Sequence, residues 1–404
     1  MRRHGEAHES PGGGGGRIKI LFIIDYFHRT GGTEKHLVQL IDCLPQNEFQ
    51  CSVVVFDLGA NRLLDGLRVQ GVEIVSLPVK REYVPNALVQ GWRLSRLIRI
   101  HKYDVIQTIH QKSDSYGALI AWLSGCRHLI SSKRDTGALR RPWHLMINRL
   151  LKPLFQMHIA VADAVRAAVI ANDRLPPERV VTIYNGVDAE RFRPPSPDQR
   201  AEARARLGLV ARDFVVGMVA GFRPEKNHEM FFAALQEVLP QMPSLKVLAV
   251  GAGPHLARFQ NEIGISALGA RTLFAGGVPD VLPYLWAMDV ACLTPGSNEG
   301  FSNAVLEQMA VGLPVVVTAV GGNAEAVVDG ECGRVIRPFD TGALARALTE
   351  LHGDTGRRVA LGAAARRRVE ARFSLTRMCS EHARLYRSLC NAERSTGYAG
   401  APRE

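Results

Sequence analysis

The sequence predicts an α/β protein built from two doubly wound, Rossmann-like domains that face each other across a cleft, with a C-terminal helix crossing back. Three observations predict it. Short apolar runs alternate with stretches of helical periodicity twice over, in residues 17–190 and again in 213–373. Between the two series stands Asn185-Gly186-Val187-Asp188, a turn signal, followed by Pro194, Pro195 and Pro197, so residues 191–212 read as a stiff linker. The 404 residues suffice for two cores of ordinary size, and 46% hydrophobic with 22% charged residues is a soluble globular balance.

In order along the chain, residues 1–16 are polar, carry five consecutive glycines and read as a disordered leader. Ile18 to Ile24 is a continuous apolar strand, too short for a signal or a membrane span. After the loop Asp25 to Gly32 comes a helix with Leu37, Leu40, Ile41 and Leu44 on one face. Gly31 and Gly32 sit where the backbone must approach a ligand closely, at the mouth formed by strand C-termini. Strands follow near 51–56, 72–77, 104–109, 128–132, 157–161 and 180–184. The second series runs 214–220, 245–250, 271–274, 289–293 and 314–318. A helix over 374–390 and a tail over 391–404 close the chain.

The net charge of +11 calls for an acidic partner such as a phosphorylated substrate or an anionic lipid. Nucleic acid is not expected, since no zinc finger or RNA-binding aromatic signature is present. Seven scattered cysteines without a C-x-x-C pair predict reduced thiols in the cytoplasm and neither a disulfide framework nor a zinc site.

The richest stretch runs from Thr294 to Pro314. An apolar strand precedes it, a polar loop reaches Gly300, and a helix starts at about Ser302, presents Val305, Leu306 and Met309 to a core, and stops at Gly312. The N–H groups of Gly300, Phe301 and Ser302 then face outward at a positive helix end, a phosphate site. Glu299 and Glu307 bracket it. Eight residues along a helix separate them by roughly 12 Å, too far to attack one bond together. They read as two acceptors gripping hydroxyls on either side of a phosphate, although a Glu pair at this spacing is, taken alone, more often a pair of solvated charges.

This run resembles the Glu-x7-Glu motif of the family 4 glycosyltransferases, which have the GT-B fold, and the resemblance extends through Val315 to Glu325 and to Asn185-Gly186-Val187-Asp188. It covers roughly residues 18–390. The resemblance implies that Glu299 contacts the donor sugar and Glu307 the nucleotide ribose, in a retaining enzyme moving a hexose from a UDP- or GDP-sugar to a hydroxyl acceptor. A lipid-linked or polysaccharide glycan of cell-surface biosynthesis is the acceptor class it implies.

Other residues fall at strand ends on the same cleft. Arg223 and Lys226 follow the first strand of the second domain, where two cations would neutralise a diphosphate leaving group. The Gly-Arg pair that the family carries five residues before its Lys is here Ala220-Gly221, so Lys226 is the matched phosphate ligand and Arg223 a displaced substitute. His110 emerges after the 104–109 strand, near a His that family members use at the acceptor and donor-sugar site. Arg134 and Asp135 are acceptor-side candidates, and Gly321, Gly322 and Glu325 match a Gly-Gly-x-x-Glu element in which Glu325 is expected to orient Lys226 or the loop. No D-x-D pair sits at a strand end, so no metal or other cofactor is expected. Gly251-Ala252-Gly253 has two of the three glycines of a dinucleotide fingerprint, which argues against NAD.

Two basic amphipathic stretches predict peripheral contact with an anionic membrane. One carries Arg140, Arg141, Arg149 and Lys152 beside Trp143, Ile147, Leu150 and Leu151; the other carries Arg93, Arg96 and Arg99 beside Trp92. Ordinary half-buried helices would read the same way. A nucleotide-sugar epimerase of the same architecture and a non-catalytic donor-binding subunit stand as the alternatives.

Overall fold

A computed structural model describes residues 16–27, 31–59, 62–79 and 85–396, the side chains beyond 391 excepted. All of the expected leader but Gly16, residues 28–30 of the first loop and residues 397–404 of the tail lie outside it.

The first domain is a seven-stranded parallel sheet of β1 (Ile18–Ile24), β2 (Phe49–Val55), β3 (Glu73–Ser76), β4 (Val105–Ile109), β5 (His128–Lys133), β6 (Met157–Ala160) and β7 (Val180–Thr182), in the order β3-β2-β1-β4-β5-β6-β7. The second is a six-stranded parallel sheet of β8 (Phe214–Val219), β9 (Leu245–Val250), β10 (Thr272–Gly276), β11 (Val290–Leu293), β12 (Val315–Thr318) and β13 (Gly333–Ile336), in the order β10-β9-β8-β11-β12-β13. Helices cover both faces of each sheet, which is why strands such as Ile20 to Ile24 are apolar without alternation and fully buried. The order of strand addition reverses between β1 and β4 and between β8 and β11, and a crevice opens at the carboxyl ends of strands at such switch points.

Strand β13 is an addition to the expected set. Its first residue, Gly333, is an unpromising strand former, but a Cβ there would press on the Val315 carbonyl of β12, so only glycine lets the two strands pair. Within residues 191–212, Pro197–Arg206 is a helix with a Ser196–Gln199 capping box. Arg200 and Arg204 bind Asp289 at 2.7 and 2.6 Å, which fastens this segment to the second domain.

The final helix, Leu375–Thr396, returns to the first domain, where Met378, Cys379, Ala383, Tyr386 and Leu389 join the core beneath β1 and β2. The fully buried Tyr386 hydroxyl donates to Gln107 Oε1 of β4 at 2.8 Å. The helix also overturns the expectation of reduced thiols throughout, because Cys43 and Cys379 are joined as a disulfide with Cα atoms 6.2 Å apart. Their 336-residue separation hides the pairing from any spacing rule, and only the returning helix brings them together.

Candidate functional site

The two switch points face each other. From the second domain, β11 leads into the loop Thr294–Ser302 and then the helix Asn303–Ala310, with Ser302 as its N-cap. The helix therefore starts one residue later than expected, and the outward N–H groups of its first turn belong to Ser302, Asn303, Ala304 and Val305. Phe301 instead buries its ring between Tyr184 and Phe373, with centroids 5.0 and 5.1 Å away, in an apolar seam joining the two domains. Gly300 is required at a close approach, since any Cβ there would collide with the carbonyl of Arg134 in the first domain.

Glu299 and Lys226 meet at 2.5 Å, Oε2 to Nζ, although 73 residues separate them. Lys226 ends the short turn Pro224–Lys226 after β8, and Asn227, in left-handed conformation, then caps the helix His228–Val238 through its side chain. The turn thus aims the ammonium at the loop instead of along the helix. Arg223 pairs more loosely with Glu225 at 3.6 Å, half exposed, with its charge felt by Tyr26 across the cleft.

Glu307 lies deeper, on the helix. Burial raises its pKa above the usual carboxylate value, opposed by Lys35 at 4.0 Å from the first-domain helix Gly32–Cys43. Asn303 then ties the domains together: its Nδ2 donates to the Gly32 carbonyl at 3.1 Å, and its Oδ1 accepts from Asn185 at 2.7 Å. Asn185 also donates to the Phe301 carbonyl at 2.8 Å, so the Asn of the interdomain turn is a structural clasp on the loop. Asn303 escaped the sequence reading because an Asn at a helix start signals a turn or cap with or without a ligand.

The opposite wall carries His110, Tyr26, Arg134 and Asp135. His110 follows β4 with φ of 80°, a strained value for a side-chain-bearing residue, and its ring stacks on Tyr26 at 4.6 Å. Burial, reinforced by Arg134, lowers its pKa to about 4, so the imidazole is neutral at pH 7 and its Nδ1 has no hydrogen-bond partner. Arg134 loses basicity to about 10 through burial, offset by Glu34 and Asp135, and its Nη1 is likewise unpartnered. Asp135 closes its own turn by accepting from Gly137 N–H at 2.8 Å and pairs with Arg140 at 3.5 Å.

Beneath His110, Asp25 at the end of β1 accepts from the N–H groups of Lys112 and Ser113 at 2.9 and 2.6 Å. Burial raises its pKa to about 6. Sequence reasoning missed Asp25; the signal that could have found it is a carboxylate at the carboxyl end of the first strand, on the switch point.

A Cβ at Gly31 would meet the carboxylate end of Glu34, a side chain that can move aside. Gly321, at φ of 57°, and Gly322 pack directly on the backbone of Glu299 and Gly300, and Gly322 N–H donates to the Gly300 carbonyl at 2.6 Å. Glu325 does not reach Lys226. It crosses to the first domain, where it accepts from the N–H groups of Asp163 and Ala164 at 2.8 and 2.7 Å.

Two family models match in tandem, "Glycosyltransferase Family 4" over residues 30–191 and "Glycosyl transferases group 1" over residues 199–368. The chain belongs to glycosyltransferase family 4. Over 204 residues it is 36% identical to a GDP-mannose-dependent alpha-(1-6)-phosphatidylinositol monomannoside mannosyltransferase of Mycolicibacterium smegmatis, a match spanning 48% of this chain and 51% of the relative. The matched part likewise spans 61% of the lipopolysaccharide core biosynthesis mannosyltransferase LpcC of Rhizobium leguminosarum, at 34% identity over 53% of this chain. The chain thus spans about half to three-fifths of the length of these curated relatives. A crystal structure of Anabaena HepE with UDP and glucose superposes with a TM-score of 0.82 at 23% identity, covering 92% of this chain and all of the other, which shows the shared GT-B fold.

Proposed function

We propose that the protein is a retaining glycosyltransferase that moves a hexose from a UDP- or GDP-sugar to a hydroxyl of a lipid-linked or polysaccharide glycan. The observation that carries this reading is the Glu299–Lys226 pair, 2.5 Å long, beside the N-terminus of the helix Asn303–Ala310 and opposite the His110 and Arg134 wall. A diphosphate bound there meets the ammonium of Lys226, the first-turn N–H groups and, at the rim, Arg223. These groups stabilise the negative charge that grows on the leaving phosphate as the anomeric bond breaks. Glu299 then grips sugar hydroxyls and Glu307 the ribose, both as acceptors. His110, neutral at pH 7, offers a hydrogen bond without adding charge. Retention follows if the leaving phosphate oxygen takes the acceptor proton on the same face, which needs only positioning from the protein.

The acceptor is placed on the first-domain side, with Arg134 and Asp135 as its contacts. The mannosyltransferase names among the relatives support a lipid-linked or lipopolysaccharide acceptor. Exposed Leu88, Val89 and Trp92 on the helix Pro85–His101 and exposed Trp143, Met146 and Leu150 on the helix Pro142–Leu151 support peripheral attachment to the inner face of a membrane. Arg140, Arg149 and Lys152 direct their donors to Asp173, the Asn172 carbonyl and the Arg174 carbonyl, so Arg93, Arg96, Arg99 and Arg141 carry the lipid attraction in this reading. Among the described residues no helix is long and apolar enough to cross a membrane.

The test is transfer from GDP-mannose and UDP-glucose to a membrane glycolipid extract, with the product's anomeric configuration read by NMR. Release of an altered sugar-nucleotide without any acceptor would assign epimerase activity instead, and binding without turnover of any donor would leave a donor-binding subunit.

A further inference from the structure

Glu325 belongs to the second domain, on the short helix Asn323–Ala326, yet its carboxylate caps a helix of the first. Oε2 and Oε1 accept from Asp163 N–H and Ala164 N–H at the start of the helix Asp163–Asp173. Oε2 also accepts from the Tyr184 hydroxyl at 2.9 Å. The residue at the helix's own N-cap, Ala162, has no side-chain oxygen, so the orphaned donors of that first turn are satisfied from across the domain boundary. A carboxylate at a helix N-terminus is favoured by the helix dipole as well.

Two further contacts link this cap to the site. Gly322, three residues before Glu325, donates its N–H to the Gly300 carbonyl, and Gly321 lies against the Glu299 carbonyl so closely that no side chain would fit. From the other side Arg368 holds the same segment, donating to the carbonyls of Glu325 and Ala326 at 2.8 Å each. Asp163 is exposed, so the cap lies at a solvent-facing edge.

We propose that Glu325 is a positioning residue: its carboxylate latches the two domains in the closed arrangement and, through Gly322 and Gly300, sets Glu299 against Lys226. The inference rests on the reading that Glu299 and Lys226 hold the donor. It predicts that the latch governs turnover more than diphosphate binding, because what it sets is the Glu299 carboxylate that grips the transferred sugar, whereas Lys226 and the first-turn N–H groups that meet the diphosphate are carried by second-domain elements.

The experiment compares wild type, Glu325→Ala and Glu325→Gln by hydrogen exchange at the amides of Asp163 and Ala164, by X-ray scattering with and without UDP or GDP, by calorimetry and by turnover. In Glu325→Ala, exchange at both amides should rise about tenfold or more, and the nucleotide-bound radius of gyration should exceed that of wild type. The turnover number kcat should fall about tenfold or more while the Kd of the nucleoside diphosphate stays within about twofold. Glu325→Gln, which keeps one carbonyl acceptor, should recover part of both. Unchanged exchange, or unchanged kcat in a folded Glu325→Ala protein, would overturn the latch. So would a loss of diphosphate affinity as large as the loss of kcat, which would mark Glu325 as a support of the second domain alone. If no donor is turned over by wild type, the glycosyltransferase reading fails, and exchange and scattering still decide whether the latch exists.

Discussion

Replacing Glu299 by Gln should separate stability, nucleotide binding and turnover in one protein. Glu299 and Lys226 are each largely buried, with side-chain exposures of 11% and 20%, and meet at 2.5 Å. Removing one partner of a fully buried pair costs about 3–5 kcal/mol because the other charge is left uncompensated. Here Lys226 keeps a fifth of its side chain in water, which lowers the cost to about 2 kcal/mol, and a second domain of ordinary size then melts roughly 4–8 °C lower. The melting shift produced by UDP or GDP depends on the ratio of ligand concentration to Kd, so it should be close to that of wild type in Glu299→Gln. Affinity for the free diphosphate should be nearly normal, because Glu299 has nothing to hold once the sugar is gone. Turnover should fall by about 100-fold, since the hydroxyls of the transferred sugar are no longer oriented as the bond breaks. Glu307→Ala should behave oppositely, weakening the free diphosphate because a ribose contact is present in substrate, transition state and product alike. Calorimetry and thermal melts on both folded variants decide it. Equal affinity losses in the two variants, or none in Glu307→Ala, would refute this division of roles.

Turnover should survive excess EDTA, because Lys226, Arg223 and the N-terminus of the helix Asn303–Ala310 supply the positive field; loss of activity that a divalent ion restores would contradict this. Acid should destabilise the fold through its buried histidines. Burial lowers the pKa of His110 and His382 to about 4 and of His158 and His228 to about 3, so between pH 6.5 and those values the unfolded chain binds more protons than the folded one. Stability present above pH 6.5 is therefore lost as pH falls through this window, by about 3 kcal/mol at pH 4 for His110 alone, and His110→Asn should flatten that part of a melting-versus-pH curve. Vesicle co-sedimentation at low salt should favour anionic over neutral liposomes, and replacing Arg93, Arg96 and Arg99 by Gln should remove that preference. Equal sedimentation with both lipid types would count against the membrane contact.

The sequence by itself determined the layered architecture. Continuous apolar runs such as Ile18 to Ile24 and Val290 to Leu293 can only be strands covered on both faces, and their alternation with helical stretches leaves few topologies other than two doubly wound sheets. The same logic placed Glu299, Lys226, His110 and Arg134 at strand ends, hence on a common crevice. It could not say which of them touch. That Lys226 finds Glu299 and not Glu325, that Phe301 belongs to an apolar seam, and that Asn303 and Asn185 clasp the loop all depend on contacts between residues 72 or more positions apart. Such contacts leave no periodicity in the chain, because side-chain reach across a domain boundary is set by how the two sheets pack. The Cys43–Cys379 bond and the cap that Glu325 places on a first-domain helix have the same origin. Local propensity chooses the elements, whereas partners across the cleft are chosen by packing the returning C-terminal helix and the seam of Tyr184, Phe301 and Phe373, which only the folded chain brings together.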